Sequence, residues 1–185
     1  MLIAKRVAQM VRSCVHDLVR VVLPSELVED VAMLLDGFHH VAVLTGSTER
    51  FVRFYSEVFG AEVLGTQDAP MGRLTFVRIG PHTEFNLFEV EGNTEAERQT
   101  PMFGRGRLDH FGLQAPSIEN FDEIRQRLRD LGAADDFVTD FGPVLSMFFR
   151  DPDGLECEVC VANPDAVPGV SNPPGTRAAR YPAEA

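Results

Sequence analysis

The sequence predicts an α+β chain built from two tandem βαβββ modules, preceded by an N-terminal helical extension. Three observations carry that prediction. The middle of the chain repeats itself. Each copy opens with a short apolar strand that runs into a capped amphipathic helix. Three further strands with turn signals between them follow each helix.

The repeat is read by sliding the chain on itself. A shift of 70 residues puts His40 on His110, Ser47 on Ser117, Glu49 on Glu119 and Phe51 on Phe121. After a two-residue insertion near the helix end, a shift of 72 puts Gly60 on Gly132, Ala61 on Ala133 and Asp68 on Asp140. The same shift puts Phe76 on Phe148, Arg78 on Arg150 and Glu84 on Glu156. A period this long points to a duplicated module rather than a solenoid.

Residues 1–36 read as the helical extension. Ile3, Val7, Met10, Val11, Cys14, Val15 and Leu18 recur at helical spacing, and Pro24-Ser25 stops one helix and starts another. Leu27, Val28, Val31, Leu34 and Leu35 form the apolar face of the second helix, which Gly37 ends. Packing on the main domain or on a second subunit suits these helices. Asp17 and the acidic second helix fit poorly on anionic lipid.

The main domain spans 37–162: a module at 37–92, a linker at 93–106 and a module at 107–162. In the first module, "FHHVAVL" is the opening strand. A Ser cap and an early Glu start a helix burying Phe51, Phe54, Tyr55, Val58 and Phe59. "AEVLG", "RLTFVRI" and "TEFNLFEV" follow as strands. In the second module, "LDHFGLQ" opens, and a helix buries Phe121, Ile124, Leu128 and Leu131. "DFVTD", "LSMFFR" and "LECEVCV" close it, with Asp151-Pro152-Asp153-Gly154 as a turn. Residues 163–185, rich in Pro and Gly, predict an extended tail without regular structure.

Composition bounds the function. A net charge of −11 argues against nucleic acid as a partner. No run is long enough to span a bilayer, and no signal peptide is recognisable. Three cysteines make no disulfide framework, which points to a reducing cytoplasm. Cys157 and Cys160 of "CEVC" lie three apart on a strand, point to opposite faces and cannot share a ligand.

Alternation along the strands assembles a candidate site. His40 shares a face with Phe38, Ala42 and Leu44; His110 with Leu108, Gly112 and Gln114; Glu158 with Glu156 and Cys160. Asn86 is the repeat equivalent of Glu158. Two modules related by a pseudo-two-fold bring His40, His110, Asn86 and Glu158 toward one axis. Two imidazoles and a carboxylate suit a divalent metal, and a buried Glu158 needs a cation or a proton.

The repeated βαβββ plan, "HHVAVLT", "FVRFYSEVFGAEVLG", "DHFGLQ" and "FFRDPDGLECEV" resemble the vicinal oxygen chelate superfamily over about residues 37–162. This is the group of glyoxalase I, the bleomycin-resistance proteins and the extradiol dioxygenases. The resemblance implies a curved mixed sheet around a central cavity. It implies one divalent ion (Fe, Mn, Ni, Co or Zn) on His40, His110 and Glu158, with Asn86 at the fourth position. There glyoxalase-like members carry Glu and epimerase-like members Gln.

The resemblance also implies a homodimer, a small-molecule substrate, and lyase or isomerase chemistry. In that chemistry the metal chelates vicinal oxygens and stabilises an enediolate. Glu158 is counted with the catalytic residues; Glu84 or Glu156, on the ligand face, would be the base, and Arg78, Arg150, Phe148 and Gln114 would contact substrate. Two other readings stand beside it. A non-catalytic sequestering protein of the bleomycin-resistance type would not retain the triad. An extradiol dioxygenase would carry Tyr where Phe148 stands.

Overall fold

The computed structural model describes Leu34, Leu35 and residues 37–183. The two helices expected in residues 1–36 lie outside the described residues apart from Leu34 and Leu35. The chain separates into two units, Met1–Gly37 and Phe38–Ala185. The second unit contains both modules.

Ten elements follow one another in that unit. They are β1 (His40–Leu44), α1 (Thr48–Phe59), β2 (Glu62–Ala69), β3 (Gly72–Arg78), β4 (Glu84–Val90), β5 (Gly112–Gln114), α2 (Ile118–Asp130), β6 (Thr139–Asp140), β7 (Val144–Arg150) and β8 (Glu156–Ala162). This is βαβββ twice. The strands form two four-stranded mixed sheets, ordered β1-β4-β3-β2 and β5-β8-β7-β6. In each, the opening strand runs parallel to the last and the other pairs are antiparallel.

The helices start where the sequence places them. Ser47 accepts from the Arg50 amide and Ser117 from the Asn120 amide. Gly60 ends α1 with φ of 71°, and its N–H returns to the Ser56 carbonyl. Phe51, Phe54, Tyr55 and Val58 are buried as expected, while Phe59 is partly covered. Leu131, expected in the core, is 52% exposed because α2 ends at Asp130 and Leu131 caps it.

Three strands differ from expectation. β2 runs on to Ala69 and meets β3 through a tight turn. Gly72, with φ of 144°, sits so close to β4 that a Cβ there would lie 2.1 Å from the Glu89 carbonyl oxygen. β5 keeps only Gly112–Gln114 of "LDHFGLQ", because the Asp109 carbonyl is taken by the Arg105 guanidinium at 2.9 Å. β6 is reduced to two residues, and the tail occupies its free edge. The Asp140 amide donates to Thr176 and the Ala178 amide to Val138. Residues 163–183 hold no named helix or strand, yet Ala178 and Tyr181 are buried. Tyr181 donates to Asp122 on α2.

One core serves both modules. Phe51 and Tyr55 of α1 stack at 4.2 Å and meet Phe85 of β4 at 5.5 and 5.0 Å. Phe54 and Phe59 of the same helix contact Phe149 of β7. Arg127 of α2 donates to the Glu57 and Val58 carbonyls at the end of α1. Each sheet thus gives alternate residues to the core: Val77, Phe85 and Leu87 from the first, Met147, Phe149 and Val159 from the second.

The Asp-Pro-Asp-Gly turn fastens the modules together. Asp153, almost fully buried, accepts from the Thr45 hydroxyl at 2.6 Å, the Gly46 amide at 3.1 Å and Arg50 at 2.5 Å. Asp153→Ala strands these donors and is expected to lower stability by about 2–4 kcal/mol, read by urea denaturation.

In the same turn Asp151 accepts from the Asp153 and Leu155 amides. Burial, with Asp153 adding to it, outweighs these bonds and pushes its carboxyl from 3.8 to about 6. The folded chain therefore binds this proton more tightly than the unfolded chain. Its stabilisation is complete below the unfolded value and is lost as pH rises through about 6. Asp151→Asn keeps the acceptor without the charge. Its stability relative to wild type should improve by about 1 kcal/mol between about pH 5 and pH 7, measured by denaturant titration at both values.

Candidate metal centre

The faces of the two sheets that do not meet the core carry the candidate ligands. In β4, Phe85 and Leu87 point into the core, so Asn86 between them points away. It pairs with Ala42 of β1 and Phe76 of β3. Its Oδ1 is buried and has no hydrogen-bond partner. Such an orphan acceptor costs about 1–3 kcal/mol unless something outside the chain satisfies it. His40 stands on the same face, exposed, with its Nδ1 3.1 Å from the Nδ1 of His39.

The second sheet makes a tighter arrangement. Glu158 of β8 lies opposite Gly112 of β5 and Phe148 of β7. One of its carboxylate oxygens accepts from the buried Ser146 hydroxyl. The other lies 3.4 Å from Nε2 of His110. His110 Nδ1 is 2.8 Å from Asp109 Oδ2, and its ring meets the edge of Phe148 at 6.0 Å. Burial works against a charged Asp109. The bonds from His110 and the Phe103 amide outweigh it and hold the carboxyl below the usual range.

Sequence reasoning placed four ligands around one axis. Within one chain the structure brings His110 to 3.4 Å from Glu158 on one sheet, while His40 and Asn86 share a face of the other, two residues apart in register. Among the described residues, no group of three or more His, Cys, Asp or Glu is placed to hold a metal. The reason is topological. Each pair sits on the face of its sheet opposite the residues that enter the shared core. The donors themselves fit a divalent ion: imidazole nitrogen, carboxylate oxygen and an unsatisfied amide oxygen.

The other candidates divide. Glu84 shares the Asn86 face and stands between His40 and Arg78 in register. Arg78 itself reaches across to Glu62 in an exposed ion pair. Glu156 is fully engaged, accepting from the Met102 amide at 3.0 Å, from Arg105 at 2.8 Å and from Arg150 at 2.9 Å. Burial would raise its carboxyl, but these donors keep it below the usual carboxylate range. A group so held is a poor proton acceptor. Gln114 lines a cleft of about 350 Å³ with Leu113, Asn120 and Arg127, apart from the ligand pairs. Cys157 is in the core and Cys160 beside Glu158, on opposite faces as alternation requires. Burial and the Glu158 charge push the Cys160 thiol up to about 12, which keeps it protonated.

Sequence reasoning missed Ser146, Asp109 and Arg105. Ser146 had a signal: it lies two residues before Phe148 on an apolar strand, hence on the ligand face. Asp109 had a misleading one. Alternation places it opposite His110, but β5 begins only at Gly112, so the rule does not reach it.

Two like-folded modules, each with a pair of candidate ligand side chains on the face of its sheet turned from the core, define a duplicated α+β scaffold. The chain belongs to the Glyoxalase/Bleomycin resistance protein/Dioxygenase superfamily, whose model matches residues 37–159. It is 31% identical over 140 residues to a lactoylglutathione lyase of Salmonella typhimurium, covering 72% of this chain and 97% of the relative. To a lactoylglutathione lyase of Escherichia coli O157:H7 it is 28% identical over the same shares. Among solved structures, a glyoxylase/bleomycin resistance protein/dioxygenase domain from a Frankia species superposes with a TM-score of 0.59. The identity is 22%, covering 71% of this chain and 95% of that one. A glyoxalase family protein from Enterococcus faecalis gives 0.53 at 25% identity, with 69% and 99% covered.

Ser146→Ala removes the donor to a carboxylate that is largely out of water. The variant is expected to lose about 1–3 kcal/mol of stability in metal-free protein, measured by thermal or urea unfolding.

Proposed function

We propose that the protein is a glyoxalase-like lyase or isomerase that works as a homodimer in a reducing cytoplasm. In this reading His40 and Asn86 of one copy face His110 and Glu158 of the second, and the four hold one divalent metal ion. The observation that carries the reading is the division of the donors. They lie two by two on outward sheet faces, and on one of those faces the Asn86 Oδ1 lacks a partner. A second copy laid on these faces would enclose a cavity between the two pairs.

The bound ion would supply Lewis acidity toward two neighbouring oxygens of a small substrate. The protein supplies the rest. Ser146 holds the Glu158 carboxylate in place, and Phe148 walls the site beside His110. Phe148 has no hydroxyl, so it cannot hand on a proton as a tyrosine would, which weighs against dioxygenase chemistry. Glu84 is the carboxylate left free to move a substrate proton, because Glu156 is committed to Arg105, Arg150 and the Met102 amide. Arg78, near Glu84, would turn from its exposed ion pair with Glu62 to an anionic group on the substrate. Arg150 and Gln114 keep that role only if a second copy redirects them. The lactoylglutathione lyase name of the relatives makes dicarbonyl–glutathione adducts the first substrates to test.

The dimer and the metal are tested together. Ni(II), Co(II), Zn(II), Mn(II) or Fe(II) should raise the melting temperature, since ligand at a hundred times Kd adds about 2.7 kcal/mol. His40→Ala and His110→Ala should each abolish the shift. Refolded together, the two variants should recover it, because one of the two sites in a mixed dimer then has both histidines. Recovery failing in a proven mixed dimer would place the site within one chain. Metals leaving wild type unshifted would favour the sequestering reading.

A further inference from the structure

We propose that Asp109 is the positioning residue of His110: it holds the Nδ1 proton so that Nε2 faces the ion as a bare lone pair. The 99–109 loop is built to keep Asp109 there. This rests on the reading that His110 and Glu158 are ligands.

An ionised carboxylate only accepts hydrogen bonds. Asp109 Oδ2 lies 2.8 Å from His110 Nδ1, so in the neutral imidazole Nδ1 carries the hydrogen and Nε2 does not. Nε2 then looks at Glu158 Oε2 across 3.4 Å. That is longer than a good N–H···O bond, and in this tautomer both atoms present lone pairs. Two electron-rich atoms turned toward one another form the mouth of a cation site. Ligand histidines commonly give their second nitrogen to a carboxylate in this way, which fixes both tautomer and ring direction.

The loop shows how Asp109 is held. Its Oδ1 accepts from the Phe103 amide. Phe103 has φ of 65°, a left-handed conformation that a non-glycine residue adopts only when its surroundings enforce it. Arg105, whose side chain is almost wholly buried, ties the loop down. It donates to the Asp109 carbonyl at 2.9 Å, to the Glu156 carbonyl at 3.1 Å and to Glu156 Oε2 at 2.8 Å. Its Nε donates to the Thr100 carbonyl. Glu156 also takes the Met102 amide. The carboxylate two residues before Glu158 therefore anchors the loop that orients His110. Module 1 has no counterpart: the equivalent position to Asp109 is His39, whose ring touches His40.

Two measurements test this. In wild type, nitrogen-detected NMR of the ring should show His110 as the Nδ1–H tautomer, both in its neutral metal-free form and when loaded with Zn(II). The Nε2–H tautomer would overturn the proposal without any mutation. Zn(II) affinity by chelator competition should fall about ten- to a hundredfold in Asp109→Ala and Asp109→Asn, and Asp109→Glu should recover part of the loss. His110→Ala separates the two levels of inference. If it binds Zn(II) as wild type does, the ligand assignment fails. If it loses binding while Asp109→Ala keeps wild-type affinity, only the positioning role fails.

Discussion

The described residues depend on one shared aromatic core that takes one face of each sheet and turns the other away from it. α1 is the hinge of that arrangement. Its Phe51 and Tyr55 pack on Phe85 of the first sheet, and its Phe54 and Phe59 on Phe149 of the second. Because strand side chains alternate, every residue between two core residues is turned outward. Asn86 lies between Phe85 and Leu87, and Glu158 between Cys157 and Val159. The chemistry sits on the uncovered faces because the core has claimed the covered ones.

Glu156 and Glu158 show how differently two carboxylates on one strand face can be held. They share a strand and a face. Glu156 meets two guanidiniums and an amide, so its charge is balanced and its oxygens are occupied. Glu158 meets a hydroxyl and an imidazole, a set that leaves room for a cation. The difference comes from the loop at 99–109, which brings Arg105 to one carboxylate and Asp109 to the partner of the other.

The two modules have diverged at the same positions. The second holds its histidine between two carboxylates and braces its glutamate with Ser146. The first keeps an exposed His40 against His39 and an amide in place of the acid, with an oxygen left unsatisfied. The first module contributes instead the receiving end of the latch, where Thr45, Gly46 and Arg50 take Asp153.

The sequence by itself determined the module order, both helices with their serine caps, and the face on which each ligand-type side chain lies. Those properties are local: helical period, strand alternation and capping need only neighbours along the chain. The alternation rule also kept Cys157 and Cys160 apart. Leu131 and Asp109 escaped it because each lies just beyond the end of its element, where no period applies. Only the tertiary structure decided that the four candidate ligand residues divide between the two sheets, that Glu156 belongs to Arg105, and that the tail closes the edge of β6. These are contacts between residues 36 to 51 apart in the chain, and no local pattern encodes which faces a shared core will cover.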